Sequence, residues 1–233
     1  MKIALNSYFT GLLDLLYPPL CISCNRRTFS VQHLFCLNCQ AHIHPTDMVY
    51  HPSNPFTAKF SGRIPLKQGA ALFYYIKGSR LQLALERLKY KNEPEIGFSL
   101  GEYLGLLMKG QDHFQDLDLI VPVPLHPRKE MQRGYNQSAL IARGIGKSIS
   151  IPVEERALQR QLYTNSQVQK SRADRLENMQ FAFKASTKIN LKDKHILLVD
   201  DILTTGATLE ACALQLLVAH DCKLSMATIG FSG

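Results

Sequence analysis

The 233-residue chain has no run of eighteen apolar residues, which excludes a helical membrane span. No secretion leader is expected at its start. Asp14 interrupts the apolar start and no small-residue cleavage site follows, so the cytoplasm is the expected compartment. There is no internal repeat and no low-complexity tract, which excludes a solenoid and a disordered chain. Acidic residues are scarce: 19 Asp and Glu stand against 27 Lys and Arg, a net charge of +8. Residues 126–194 hold fourteen Lys/Arg and six Asp/Glu, so that one stretch carries the whole excess. A local positive field either is solvated surface or attracts phosphates, those of a small ligand or of nucleic acid. With 45% hydrophobic and 20% charged residues the chain is globular, long enough for one substantial core and a small appendage.

Four of the six cysteines lie close together, as Cys21-x2-Cys24 and Cys36-x2-Cys39. Clustered cysteines in a reducing compartment favour metal over disulfides. Each pair points two thiolates at one ion, and two pairs complete a tetrahedron that leaves no position open for water. The expected occupant is a structural Zn²⁺; an iron–sulfur centre or redox-active pairs are the alternatives. His33, His42 and His44 lie near but are not needed. Arg26 and Arg27, between the knuckles, are read as solubilising charge with phosphate contact as the sharper alternative.

Residues 5–16 have helical apolar spacing, stopped by Tyr17-Pro18-Pro19. Residues 45–70, rich in Pro, Ser, Asn and Lys, read as a linker or irregular surface. A strand is expected over Ala70–Ile76 and helices over Ser79–Tyr90 and Ile96–Lys109. From Asp118 strands alternate with helices: strands over Asp118–Pro124, Pro152–Leu158, Met179–Phe183, His195–Asp200 and Leu224–Phe231, helices over Gln137–Ile149 and Gly206–Ala219. That alternation predicts an α/β fold, a doubly wound and mainly parallel sheet, beside the small N-terminal zinc-binding module. The expected division is 1–45 for the helix and cysteine module and 46–233 for the main domain. Within the latter, 46–110 forms a linker and hood-like part and 111–233 the core sheet.

The most informative segment is His195-Ile-Leu-Leu-Val-Asp-Asp-Ile-Leu-Thr-Thr-Gly-Ala-Thr208. An apolar strand runs into two adjacent carboxylates, and a Thr/Gly turn then opens a helix. Ligands bind at the carboxyl edge of a parallel sheet. The glycine lets backbone amides approach a phosphate, the helix start adds its dipole, and Thr204, Thr205 and Thr208 add hydroxyls. Asp200 and Asp201 can accept from ribose hydroxyls or hold Mg²⁺; ordinary helix capping explains two adjacent aspartates less well, because they repel. A second constellation, Val121-Pro-Val-Pro…Arg128-Lys129…Arg133-Gly-Tyr-Asn-Gln-Ser138, sets three cations before a helix, either a basic solvated turn or a place that stabilises an anionic leaving group. A third, Gln167–Met179, carries Lys170, Arg172, Arg175 and Asn178. Gly144-Ile-Gly-Lys-Ser148 ends like a nucleotide-binding loop, but the leading glycine position is Ile141. It reads as helix end and loop.

The strand–acid–loop segment resembles the signature of type I phosphoribosyltransferases. That resemblance implies a ligand such as 5-phosphoribosyl-1-pyrophosphate with Mg²⁺. Asp200 and Asp201 would face the ribose 2′ and 3′ hydroxyls as the catalytic pair. Residues Thr204, Thr205, Gly206, Ala207 and Thr208 would cradle the 5′-phosphate, and Arg128, Lys129 and Arg133 the pyrophosphate. Arg172 and Arg175 would sit on a mobile loop closing over the ligand. The chain as a whole resembles the ComF family: the Tyr17-Pro-Pro-Leu-Cys-Ile-Ser-Cys24 start, Leu88-Lys-Tyr-Lys91, the Val-Pro-Val-Pro…Arg-Gly-Tyr-Asn-Gln run, Arg172…Asn178, and the Asp-Asp…Thr-Thr-Gly-Ala-Thr ending all agree. It implies a role in DNA uptake during natural transformation, with single-stranded DNA as a partner and DNA-uptake or recombination proteins as others. Phe29, Phe35 and Tyr90 are candidates for stacking on bases, with core packing as the competing reading. A phosphoribosyltransferase of nucleotide salvage and a non-catalytic nucleic-acid-binding module are the alternatives; a four-cysteine module argues against the first. No general base is evident. With the last strand close to Gly233, any acceptor-selecting hood is expected within residues 45–110.

Overall fold

The structure, a computed structural model, describes residues 18–28, 34–161 and 182–233. The expected helix over 5–16, Phe29, His33 and the stretch with Lys170, Arg172, Arg175 and Asn178 lie outside the described residues.

The sheet is built from the most apolar segments. Strands β1 (Leu66–Tyr74), β2 (Leu119–Pro122), β5 (His195–Leu203) and β6 (Lys223–Phe231) pair in the order β1–β6–β5–β2, all parallel. Successive side chains leave opposite faces of a strand, and here both faces are covered. Leu197, Val199, Ala227 and Ile229 join one core cluster, Ile196, Leu198, Leu224 and Met226 the other. Such double burial is why the strands read as continuous apolar runs. A four-residue helix α1 (Leu37–Gln40) belongs to the cysteine module, and another, α2 (Pro55–Ala58), packs on β1.

On the first face lie α3 (Arg80–Tyr90), α4 (Pro94–Met108) and α6 (Gln137–Ile149). Ser79 caps α3 by accepting the Gln82 amide, and Leu81, Ala84, Leu85 and Leu88 form its buried stripe. Asn136 caps α6 through the Ser138 amide. Helices α4 and α6 cross with backbones almost touching. A Cβ at Gly101 would lie 2.1 Å from the Ile141 carbonyl oxygen, and one at Gly144 2.1 Å from that of Phe98. Gly144 is therefore a packing glycine within α6, which places the Gly144–Ser148 motif inside a helix. On the second face lie α7 (Ala207–Ala219), α2 and a short antiparallel pair, β3 (Leu158–Arg160) with β4 (Phe183–Ala185). Between β2 and α6, helix α5 (Pro127–Arg133) stands on the surface with no buried residue and ends at Gly134 with φ 85°.

Two expectations need correction, and a third falls largely outside the described residues. The strand expected over Pro152–Leu158 reduces to one bridge, Val153 with Ile120, and the chain then turns to pair as β3; charged Glu154, Glu155 and Arg156 at 154–156 fit an exposed turn better than a buried parallel strand. Of the strand expected over Met179–Phe183, residues 179–181 lie outside the described residues, and a strand runs over Phe183–Ala185. Residues 45–70 are not merely irregular surface: Met48, Val49, Phe56, Phe60 and Ile64 are buried. Asn54 ties that segment down, giving its amide hydrogens to the carbonyls of Met48, His51 and Gly69 and capping α2.

At the amino edge of the sheet, His195 shares hydrogen bonds with Asp116 Oδ1 at 2.9 Å and Ser225 Oγ at 2.7 Å. Ser225 is fully buried, so this serine–histidine–aspartate chain fastens strands and reaches no substrate.

Candidate functional site

The two aspartates stand at the carboxyl end of β5, the central-strand edge where a parallel sheet opens a crevice. They are 9% and 7% exposed for Asp200 and Asp201. Asp200 Oδ1 accepts from Ser138 Oγ at 2.8 Å and from the Asp201 amide at 2.9 Å. Burial, then the neighbouring Asp201 charge, pushes the Asp200 carboxyl up to about 7. Asp201 Oδ2 is buried with no aligned hydrogen bond among the described residues; what meets it is the Lys89 ammonium, at 2.6 Å. Two carboxylates and one internal cation thus share one place.

From this pair the site extends in two directions. On one side Asp200, Thr204, Thr205, Gly206, Ala207 and Thr208 line a small niche of about 30 Å³ at the start of α7. Gly206 takes φ 83°, a left-handed turn that suits glycine, and a Cβ there would press on the Phe60 ring at 3.0 Å. The turn brings the first amides of α7 to the strand end, the arrangement that receives anions. On the other side Lys89, Tyr90, Asn92, Lys129, Gln132 and Arg133 line a cleft of about 240 Å³. Among the described residues no carboxylate lines it. Arg133 stacks over Tyr90, with Cζ 5.8 Å from the ring centroid, and pairs with Gln137.

The sequence-derived residues are therefore distributed unevenly. Asp200, Asp201 and Thr204–Thr208 fall together, and Lys129 and Arg133 gather in the adjoining cleft. Arg128 stands exposed outside the lining, its amide donating to His126 Nδ1 at 3.2 Å. Of the three aromatics considered for stacking, Phe35 is buried edge-on against Phe73, whereas Tyr90 is 74% exposed. Two residues escaped the sequence reading. Ser138 is a fully buried donor to Asp200. Lys89 belongs to the Leu88–Lys91 segment, but nothing local announces a partner 112 positions away.

The cysteine module brings its four Sγ atoms within 4.8 Å of one another, with Cys24 and Cys36 3.6 Å apart. A tetrahedral zinc with sulfur at ~2.3 Å needs sulfurs about 3.8 Å apart, so the four residues fit that ion. For Cys21 burial opposes ionisation, but backbone N–H groups of Cys36, Cys24 and Ser23 outweigh it and hold the thiol at about 7. Burial, with Cys24 next, drives Cys39 up to about 12; a metal would have to ionise it. His42 is engaged elsewhere, its Nδ1 2.7 Å from the Asn38 carbonyl. The module is fastened to α3: Arg87 donates to the Cys21 carbonyl at 3.0 Å and to Asn25 Oδ1 at 2.6 Å, and Ser23 Oγ to the Arg80 carbonyl at 2.9 Å.

Residues 139–231, which hold this strand, its acids, the glycine turn and the helix, match the phosphoribosyl transferase domain family. Beyond it, the chain is similar over most of its length to competence protein F of Haemophilus influenzae, 29% identical over 201 residues that cover 81% of this chain and 86% of that one. It is 25% identical to competence protein ComFC of Bacillus subtilis over 84% of this chain and 77% of the relative. The DNA utilization protein YhgH of Escherichia coli is 30% identical over 136 residues, 57% of this chain and 59% of that protein. Among solved structures, glutamine phosphoribosylpyrophosphate amidotransferase of Bacillus subtilis, complexed with ADP and GMP, aligns with a TM-score of 0.41 and 18% identity, over 60% of this chain and 30% of that one. Among the described residues no helix is long and apolar enough to cross a membrane.

Proposed function

We propose that this protein is a ComF-type phosphoribosyltransferase-like protein that binds 5-phosphoribosyl-1-pyrophosphate with Mg²⁺ and acts on or beside single-stranded DNA during its uptake. The observation that supports it most is the juxtaposition at the end of β5: two buried carboxylates beside a left-handed glycine turn and a helix start, with a cation-lined cleft on the far side. In this reading the α7 amides and the Thr204, Thr205 and Thr208 hydroxyls hold the 5′-phosphate. Asp200 and Asp201 accept the ribose 2′ and 3′ hydroxyls, and Lys129 and Arg133 face the pyrophosphate. Arg128 joins from outside that lining; Arg172 and Arg175, which the family resemblance assigns to the same ligand, lie outside the described residues.

As an enzyme, the protein would break the bond between the anomeric carbon and pyrophosphate and form one to an acceptor nucleophile. The cationic cleft would stabilise the departing charge, and the carboxylates the positive sugar ring. Turnover requires a base for the acceptor, and the described residues at the site offer one titratable near neutrality, Asp200. Its oxygen is already committed to Ser138 and the Asp201 amide, which suits holding a sugar better than moving a proton. The nucleic-acid part of the proposal is supported by Tyr90, exposed beside Lys129 and Arg133, as stacking platforms with flanking cations bind single strands.

Isothermal calorimetry with magnesium phosphoribosyl pyrophosphate tests the small-ligand part. The parent protein should bind, and the Asp200→Asn/Asp201→Asn variant should bind at least tenfold more weakly while still folding. Equal affinities would refute the site. A fluorescent single-stranded oligonucleotide tests the other part, with affinity falling as salt rises and weakening in Tyr90→Ala. Pyrophosphate release on adding a nucleobase would favour a salvage enzyme instead.

A further inference from the structure

We infer that Lys89 is a positioning residue with two partners: it neutralises Asp201 in the ligand-free site and passes its ammonium to the diphosphate of the bound sugar. The inference rests on the phosphoribosyl reading and adds to it a residue that joins its two halves.

Lys89 is the lining residue of the cationic cleft whose charge also reaches the acidic pair. Its Nζ is 2.6 Å from Asp201 Oδ2, and its side chain is 22% exposed against 10% for the aspartate. Among the described residues that oxygen has no aligned hydrogen bond. The carboxylate is thus held by charge alone on that side and is open to better-directed donors. A sugar diol supplies such donors. Breaking a buried ion pair outright would strand a charge. Here neither charge is stranded: the diol takes over Asp201, and the anion in the adjoining cleft takes over Lys89.

The geometry around Lys89 fixes its base and leaves its tip free. On its N-terminal side Arg87 is forked onto Glu93, with Nε donating at 3.0 Å, and onto the cysteine module at the Cys21 carbonyl and Asn25 Oδ1. The Leu88 carbonyl accepts from Tyr135 Oη at 2.6 Å. Backbone motion at Lys89 is therefore restrained from two directions, so the ammonium can exchange partners by side-chain rotation, on a scale far faster than domain movement. The remaining polar lining groups, Asn92, Lys129, Gln132 and Arg133, can donate, and among the described residues no carboxylate lines the cleft to compete, which leaves an entering diphosphate as the natural acceptor.

The test compares affinities for phosphoribosyl pyrophosphate and for ribose 5-phosphate, both with Mg²⁺, by calorimetry. The two share the sugar and its phosphate and differ in the diphosphate. The parent should prefer the pyrophosphate, and Lys89→Met should reduce that preference at least about tenfold, while Lys89→Arg restores part of it. An unchanged ratio in Lys89→Met overturns the inference. A parent that binds both ligands equally also overturns it but leaves the ribose-phosphate reading intact; a parent that binds neither sinks that reading and the inference with it. Acetylation of the native protein, read by mass spectrometry at Lys89, provides a measurement that needs no variant. Lys89 should be protected by phosphoribosyl pyrophosphate and more reactive with ribose 5-phosphate; equal reactivity in the two complexes contradicts the exchange of partners.

Discussion

Replacing Asp200 with asparagine should stabilise the ligand-free protein, by about 3 kcal/mol more at pH 8 than at pH 5. The carboxyl rises from its ordinary 3.8 to about 7 through burial and the adjacent Asp201 charge. At pH 5 the unfolded chain has released this proton and the folded protein keeps it, so folding gains from holding it. Because the folded value is the raised one, that gain is complete below 3.8 and is lost as pH climbs through 7. Between pH 5 and pH 8 the loss amounts to about 3 kcal/mol. Asparagine keeps an oxygen for Ser138 Oγ and the Asp201 amide and removes the charge. For a chain of this size the variant's lead in melting temperature over the parent should widen by roughly 6–12 °C between pH 5 and pH 8. Calorimetric melting of both proteins at pH 5, 6.5 and 8 at one ionic strength measures the difference. Parallel pH profiles would refute the reasoning, since the aspartate would then carry no displaced titration. The same variant should bind magnesium phosphoribosyl pyrophosphate poorly: an acidic pair that costs stability when empty is what a ligand-supported site looks like.

Other outcomes follow from the packing and the thiols. Cys36→Ser should lose bound zinc, measured by elemental analysis of the purified protein, and should lower the melting temperature, because α3 is fastened to the module through Arg87 and Ser23; equal zinc in variant and parent would count against a four-thiolate site. Gly144→Ala should cost about 2 kcal/mol or more in a urea melt, since its Cβ would sit 2.1 Å from the Phe98 carbonyl oxygen. Gly110→Ala, with nothing within 4 Å of the added carbon, is the matched control and should change stability by less than about 0.5 kcal/mol.

What could be read without coordinates was whatever is local. Helix α6 announces itself by Asn136 before an apolar periodicity, and it runs over Gln137–Ile149 as expected. β5 is a run of apolar residues too continuous for anything but a strand covered on both faces. The cysteine spacing encodes its own cluster. What stayed hidden depends on residues far apart in the chain. Lys89 looks like any basic residue at the end of a helix until the sheet brings Asp201 beside it. Ser138 reads as a helix-start residue, yet its hydroxyl faces Asp200. Residues 45–70 look irregular because Asn54, Pro55 and Gly62 break periodicity, although Phe56 and Phe60 fill the core against α7 and β6. Gly101 and Gly144 sit in separate helices, and only their crossing shows why neither carries a side chain.

A crystal structure of the protein soaked with magnesium phosphoribosyl pyrophosphate measures the central claim. The account predicts the 5′-phosphate within hydrogen-bond distance of the 204–208 amides, the ribose diol on Asp200 and Asp201, and the diphosphate in the cleft of Lys129 and Arg133. Density for the ligand elsewhere, with the Lys89–Asp201 pair undisturbed, would contradict it.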